Sequence, residues 1–147
     1  MSKSTVNFVN TVSIKELRTL IPLVGSEITP IIQSEPGCGK TSLLSMMRED
    51  LGDDYDYIYV DCPVKDMQDI GMVIPNHTTK TLEYYVAELF RLDSPKPKVI
   101  LLDEFMKSPK LLQVIFTRLM LERMVGDVAL PKGSIVFGTS NNASDGV

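Results

Sequence analysis

The segment Ser34-Glu35-Pro36-Gly37-Cys38-Gly39-Lys40-Thr41 combines two glycines, a lysine and a hydroxyl in an order that suits an anion. Gly37 and Gly39 can take positive φ angles, so consecutive backbone N–H groups can curl around phosphate oxygens. Lys40 is a cation placed to reach terminal phosphates, and the Thr41 hydroxyl is a ligand suited to Mg²⁺. In the pattern G-x-x-x-x-G-K-[ST] the first glycine is replaced here by Ser34, also a small residue. Farther along, Val99-Ile100-Leu101-Leu102 ends on two adjacent acids, Asp103 and Glu104. Asp103 could hold Mg²⁺ through water, and Glu104 could polarise an attacking water. At a frayed strand end successive side chains can face one site. Asn141 closes a third apolar run and could orient that water or touch a phosphate. An acidic strand end is also an ordinary solvated turn, and Asn is an everyday strand terminator, with Asn142 competing for the role.

The elements that must position these groups can be read from periodicity. Ser13 and Glu16 form a capping box for a helix whose Ile14, Leu17, Leu20 and Ile21 share a face and which Pro22 and Gly25 end. Pro30–Gln33, Tyr57–Asp61, Val99–Leu102 and Ser134–Ser140 read as buried strands. A helix carrying Leu43, Leu44, Met46 and Met47 follows the glycine-rich turn, so its N-terminus would point at the anion. Cys62–Lys80 is mixed, with room for a short helix and a hairpin, and Leu82–Leu92 has helical spacing. Ser108 and Pro109 open a long helix to about Met124, and Gly126–Gly133 reads as a small hairpin. Strands that are continuous apolar runs, alternating with helices, predict an α/β fold with a parallel sheet. Residues 1–12 read as a flexible lead-in and 13–147 as one domain.

The 147 residues include 44% hydrophobic and 23% charged residues, which excludes collagen-like, coiled-coil and wholly disordered chains. Fifteen Lys and Arg against nineteen Asp and Glu give a net charge of −4, which argues against a dedicated nucleic-acid wrapper. No apolar run approaches the ~20 residues of a membrane span. Two cysteines, Cys38 and Cys62, without an export pattern predict free thiols in a reducing, cytoplasmic setting. A single histidine, His77, leaves zinc without support. Arg118 and Arg123, five apart on the long helix, read as solvated by default, with a reach to a neighbour's nucleotide or the substrate in an oligomer as the alternative.

Taken together, Ser34–Thr41, Leu101-Leu102-Asp103-Glu104 and Gly138-Thr139-Ser140-Asn141 resemble the Walker A, Walker B and sensor 1 motifs of AAA+ ATPases. The MoxR-like branch is similar in its Arg-x-x-Gly-Asp turn and Leu-Pro, matched here by Arg123–Asp127 and Leu130-Pro131. The resemblance spans about residues 14–147. It implies a three-layer α/β/α P-loop NTPase core using ATP and Mg²⁺, with Glu35, Pro36, Gly37, Cys38, Gly39, Lys40, Thr41 and Ser42 around the nucleotide. Thr41 and Asp103 would hold the metal, and Glu104, Asn141 and Lys40 would act in hydrolysis. It further implies a ring, expected as a hexamer, that remodels a protein substrate or works through an adaptor. Met124–Lys132 would then be the hairpin before sensor 1 and Asp69–Thr81 the insertion in the second helix, both facing that substrate or the central pore. Family members continue with an arginine finger, sensor 2 and a helical lid, none assignable before Val147. The chain is therefore expected to be an incomplete core, weak or inactive alone. A non-hydrolysing nucleotide-binding regulatory module and a DNA-directed ATPase are the alternatives.

Overall fold

The computed structural model describes residues 13–34 and 42–141. Helix α1 (Ile14–Val24) starts on the expected capping box: Ser13 Oγ accepts the Glu16 N–H at 3.1 Å, and Glu16 Oε1 accepts the Ser13 N–H at 2.9 Å. It runs through Pro22, which the sequence reading had as a terminator. The missing N–H removes one bond, and the last turn still closes because the Gly25 N–H reaches Ile21 O at 2.7 Å. Strand β1 (Ile31–Ser34), helix α2 (Ser42–Leu51) and strand β2 (Asp56–Asp61) follow.

Residues 82–92 do not form the helix their spacing suggests. Strands β3 (Gly71–Asn76) and β4 (Thr81–Val86) pair antiparallel, and only a short 3₁₀ turn, Glu88–Phe90, comes after. Thr81, Tyr84, Tyr85 and Val86 favour a pleated surface, and the turn that returns the chain is strongly specified. Asn76 Oδ1 accepts the N–H groups of Thr78 and Thr79 at 3.0 and 3.1 Å, and Lys80 takes a left-handed φ of 61°.

Strand β5 (Lys98–Asp103) leads to helix α3 (Lys110–Glu122), the hairpin β6 (Met124–Val125) and β7 (Val128–Ala129), and strand β8 (Ile135–Asn141). The sheet is parallel, in the order β1-β8-β5-β2. Alternation along the strands splits the core in two. Val99, Leu101, Ile135 and Phe137 pack with α1 and α2, and Ile100, Leu102 and Val136 pack with α3. The chain thus forms the expected three layers.

The two arginines of α3 are not simply solvated. Arg118 donates to Gly126 O at 2.7 Å and to Glu122 at 3.0 Å, bracing the β6–β7 turn. Both terminal nitrogens of Arg123 are buried without a hydrogen-bond partner, and burial lowers the pKa of that guanidinium. Its backbone closes α3 in the left-handed region, φ 59°, which turns the chain into β6 and draws the side chain inward. Among the described residues no helix is long and apolar enough to cross a membrane.

Candidate functional site

The carboxyl ends of parallel strands are where open α/β sheets bind ligands, and β8 decides what meets there. It lies between β1 and β5, with Ser34 opposite Asn141 and Leu102 opposite Gly138. Strands sit about 4.8 Å apart, so β1 and β5 run side by side at about 10 Å with β8 between them. Helix α2 begins at Ser42, directly after the glycine-rich segment. Glu35, Pro36, Gly37, Cys38, Gly39, Lys40 and Thr41 lie outside the described residues, as do residues 1–12 and Asn142.

Asp103 continues the Val99–Leu101 face, the one covered by α2, and is only 9% exposed. Its carboxylate is held from both sides. Thr139, fully buried on β8, donates from Oγ1 to Asp103 Oδ1 at 2.5 Å. Tyr59, on β2, donates its phenol O–H to Asp103 Oδ2 at 2.6 Å. Burial, then the hydrogen bond to and charge of Asp103, push the Tyr59 phenol well above the ordinary tyrosine value. It therefore stays a donor across neutral pH.

Glu104 sits where the strand ends abruptly. Its φ of 53° and ψ of 46° place a non-glycine residue in the left-handed region, a conformation costing of order 1–3 kcal/mol that clusters at functional sites. The kink breaks the alternation that would otherwise send this side chain toward α3. Two contacts support it. The Glu104 N–H donates to Thr139 Oγ1 at 3.0 Å, and Lys107 Nζ lies 3.1 Å from Glu104 Oε1. Thr139 thus fixes both acids at once.

The donor chemistry fits a hard, hydrated cation. Asp103 offers oxygen only, and each carboxylate oxygen keeps a second lone pair beyond its hydroxyl partner. Among the described residues no three His, Cys, Asp or Glu side chains converge as a metal cage. One carboxylate at a strand end is the protein share that Mg²⁺ takes when waters and phosphates complete its shell. Of the expected site residues, the structure brings Asp103 and Glu104 to the end of β5, two strands from the end of β1, with the backbone of Asn141 between. Tyr59 and the role of Thr139 were missed by sequence reasoning. Thr139 stood inside a quoted motif, but nothing in the spacing of Tyr59 signals a partner 44 positions away.

No protein-family model and no curated protein matches the chain. Among solved structures, it is similar to a Cytophaga hutchinsonii protein whose crystal structure is described as that of a "putative ATPase". The TM-score is 0.54 and the identity 22%, over 88% of this chain. The chain spans 38% of the length of that protein. The likeness is one of fold: a central parallel sheet of four strands flanked by helices, which matches a P-loop ATPase-like fold.

Proposed function

We propose that this chain binds Mg·ATP at the carboxyl ends of β1, β8 and β5 and hydrolyses it as the core of an AAA+ ATPase of MoxR-like type. The observation that supports this most is the insertion of β8 between β1 and β5, with Thr139 bound to the Asp103 carboxylate and the Glu104 amide. On this reading the amides of residues 35–42 and the Lys40 ammonium hold the phosphates. Thr41 and Asp103 hold Mg²⁺, which when bound neutralises charge on the phosphate oxygens. Glu104 accepts a proton from a water aligned with the terminal phosphate, and Asn141 orients that water. Lys107 keeps the Glu104 carboxylate paired at 3.1 Å, and that contact has to loosen for Glu104 to act as base.

The product of the cycle is mechanical. The β3–β4 hairpin exposes Met72, Val73, Leu82 and Tyr85, an apolar surface suited to a protein partner. A ring of such cores would drive remodelling of that partner. The test is Glu104→Gln: nucleotide binding is retained while turnover falls about 10²–10⁴-fold, the usual share of a general base. Equal turnover in the variant contradicts the assignment. Stoichiometric binding with no turnover in any assembly state of wild type would reassign the chain as a non-hydrolysing nucleotide-binding module.

A further inference from the structure

Most buried aspartates are satisfied by local backbone or by one cation. Asp103 is satisfied instead by two hydroxyls from the strands on either side of it, Thr139 on β8 and Tyr59 on β2. Each takes a different carboxylate oxygen, so rotation about the terminal bond of Asp103 would break both hydrogen bonds. The uncommitted lone pair on each oxygen is therefore held in a fixed direction. Thr139 also serves the Glu104 amide, so its role is partly structural. Tyr59 has no such second duty among the described residues. The residue is 39% exposed, two positions before the end of the edge strand β2, so it lies at the rim of the sheet rather than in the core. The register puts Tyr59 opposite Leu101, and only a side chain as long as tyrosine can cover the two-residue offset to Asp103.

We propose that Tyr59 is a positioning residue for the metal: its phenol locks the Asp103 carboxylate in the orientation that receives hydrated Mg²⁺. The proposal rests on the nucleotide reading above and adds to it a residue that is neither in the glycine-rich segment nor in the acidic pair. A phenol that orients the carboxylate acts on metal affinity and leaves metal-free phosphate binding alone. A phenol that merely braces β2 against β5 would act on stability and on neither affinity.

The experiment uses the full chain and the fluorescent nucleotide mant-ATPγS, titrated with Mg²⁺ at fixed nucleotide and, separately, titrated with nucleotide in EDTA. Tyr59→Phe keeps the ring and removes the donor. It is expected to raise the Mg²⁺ midpoint about three- to tenfold, the size of one ordinary net hydrogen bond. Its affinity in EDTA should match wild type, while its metal-free melting temperature should fall by a few degrees, because Asp103 Oδ2 is left without its partner. Asp103→Asn sets the upper limit of the shift. A midpoint for Tyr59→Phe within twofold of wild type overturns the proposal, as does an equal loss of affinity with and without Mg²⁺. If wild type binds no mant-ATPγS under either condition, the nucleotide reading itself fails and this proposal falls with it.

Discussion

The Thr139 hydroxyl donates to Asp103 Oδ1 at 2.5 Å while accepting the Glu104 N–H at 3.0 Å, so one buried side chain on β8 sets the geometry of two acids on β5. Thr139→Val keeps the shape and removes both interactions, leaving a nearly buried carboxylate oxygen and an amide short of a partner. The expected cost is about 1–3 kcal/mol. For a domain of this size that lowers Tm by roughly 2–12 °C. Thr139→Ser should recover most of it. Thermal melts that place Val and wild type together would mean the hydroxyl holds neither acid.

At the opposite end of the same strands, Lys98 is fully buried and donates from Nζ to Asp56 Oδ2 at 2.7 Å and to Ser94 O at 3.0 Å. The hydrogen bond from Lys98 holds the Asp56 carboxyl below the usual aspartate value, against the opposing effect of burial. A lowered folded value means the stabilisation is present above about pH 3.9, the ordinary aspartate value, and is lost as pH falls through the folded one. Lys98→Met strands the Asp56 charge, with Arg91 at 3.7 Å as its remaining cation, and is expected to cost about 3–5 kcal/mol at neutral pH. The deficit should narrow below about pH 4, where protonation relieves the unpaired carboxylate. Urea melts at pH 7 and pH 3.5 check both the size and its pH dependence.

The Cys62 thiol should be unreactive until the chain unfolds. Cys62 is fully buried, and burial, followed by the charges of Asp103 and Asp61, pushes its thiol from 9.0 up to about 12. Native protein treated with an aromatic disulfide reagent at pH 8 should therefore leave Cys62 unmodified, and denatured protein should label it. Because the folded value is the higher one, the contribution of neutral Cys62 is intact below pH 9 and lost as pH rises from 9 toward 12. Tyr59 acts in the same direction. Melting temperatures that hold steady between pH 8 and pH 10.5 would contradict this.

The two hairpins are joined by one aromatic ring. A methyl group on Gly126, at φ 58° in the β6–β7 turn, would overlap the Tyr84 ring of β4, and one on Gly71 would meet the Tyr84 hydroxyl. Gly126→Ala should thus destabilise by about 1–3 kcal/mol through overpacking and backbone strain. Adding Tyr84→Ala should recover the packing part, so the double variant is less unstable than the sum of the singles. Additive melts would mean the ring is no wedge between the hairpins.

Much of this was legible in the residues. Continuous apolar runs gave the four strands of the parallel sheet to within a residue or two, and the Ser13–Glu16 pair gave the start of α1. The β3–β4 hairpin was misread at its second strand because Leu82, Tyr85, Val86 and Leu89 satisfy a helical period as well. What decides between them is the antiparallel partner at 71–76, a cross-strand pairing that helical periodicity does not carry. Asp103 and Glu104 announced themselves by following an apolar run. The hydroxyls that hold Asp103 did not, because Tyr59 and Thr139 reach it only once the sheet order and register are fixed. Lys98 was invisible for a similar reason: a lysine at a strand start reads as solvated until Asp56 is found beside it.

The most direct test of nucleotide binding is thermal melting of wild type and Lys40→Ala with Mg·ATPγS from micromolar to millimolar. At a ligand concentration 100 times Kd the folded state gains ~2.7 kcal/mol. That corresponds to a rise in Tm of about 5–11 °C for a domain near this size. A dose-dependent rise in wild type that Lys40→Ala abolishes is the expected result. A wild-type Tm unmoved at millimolar ligand, or an equal rise in both proteins, would contradict a phosphate site built on Lys40.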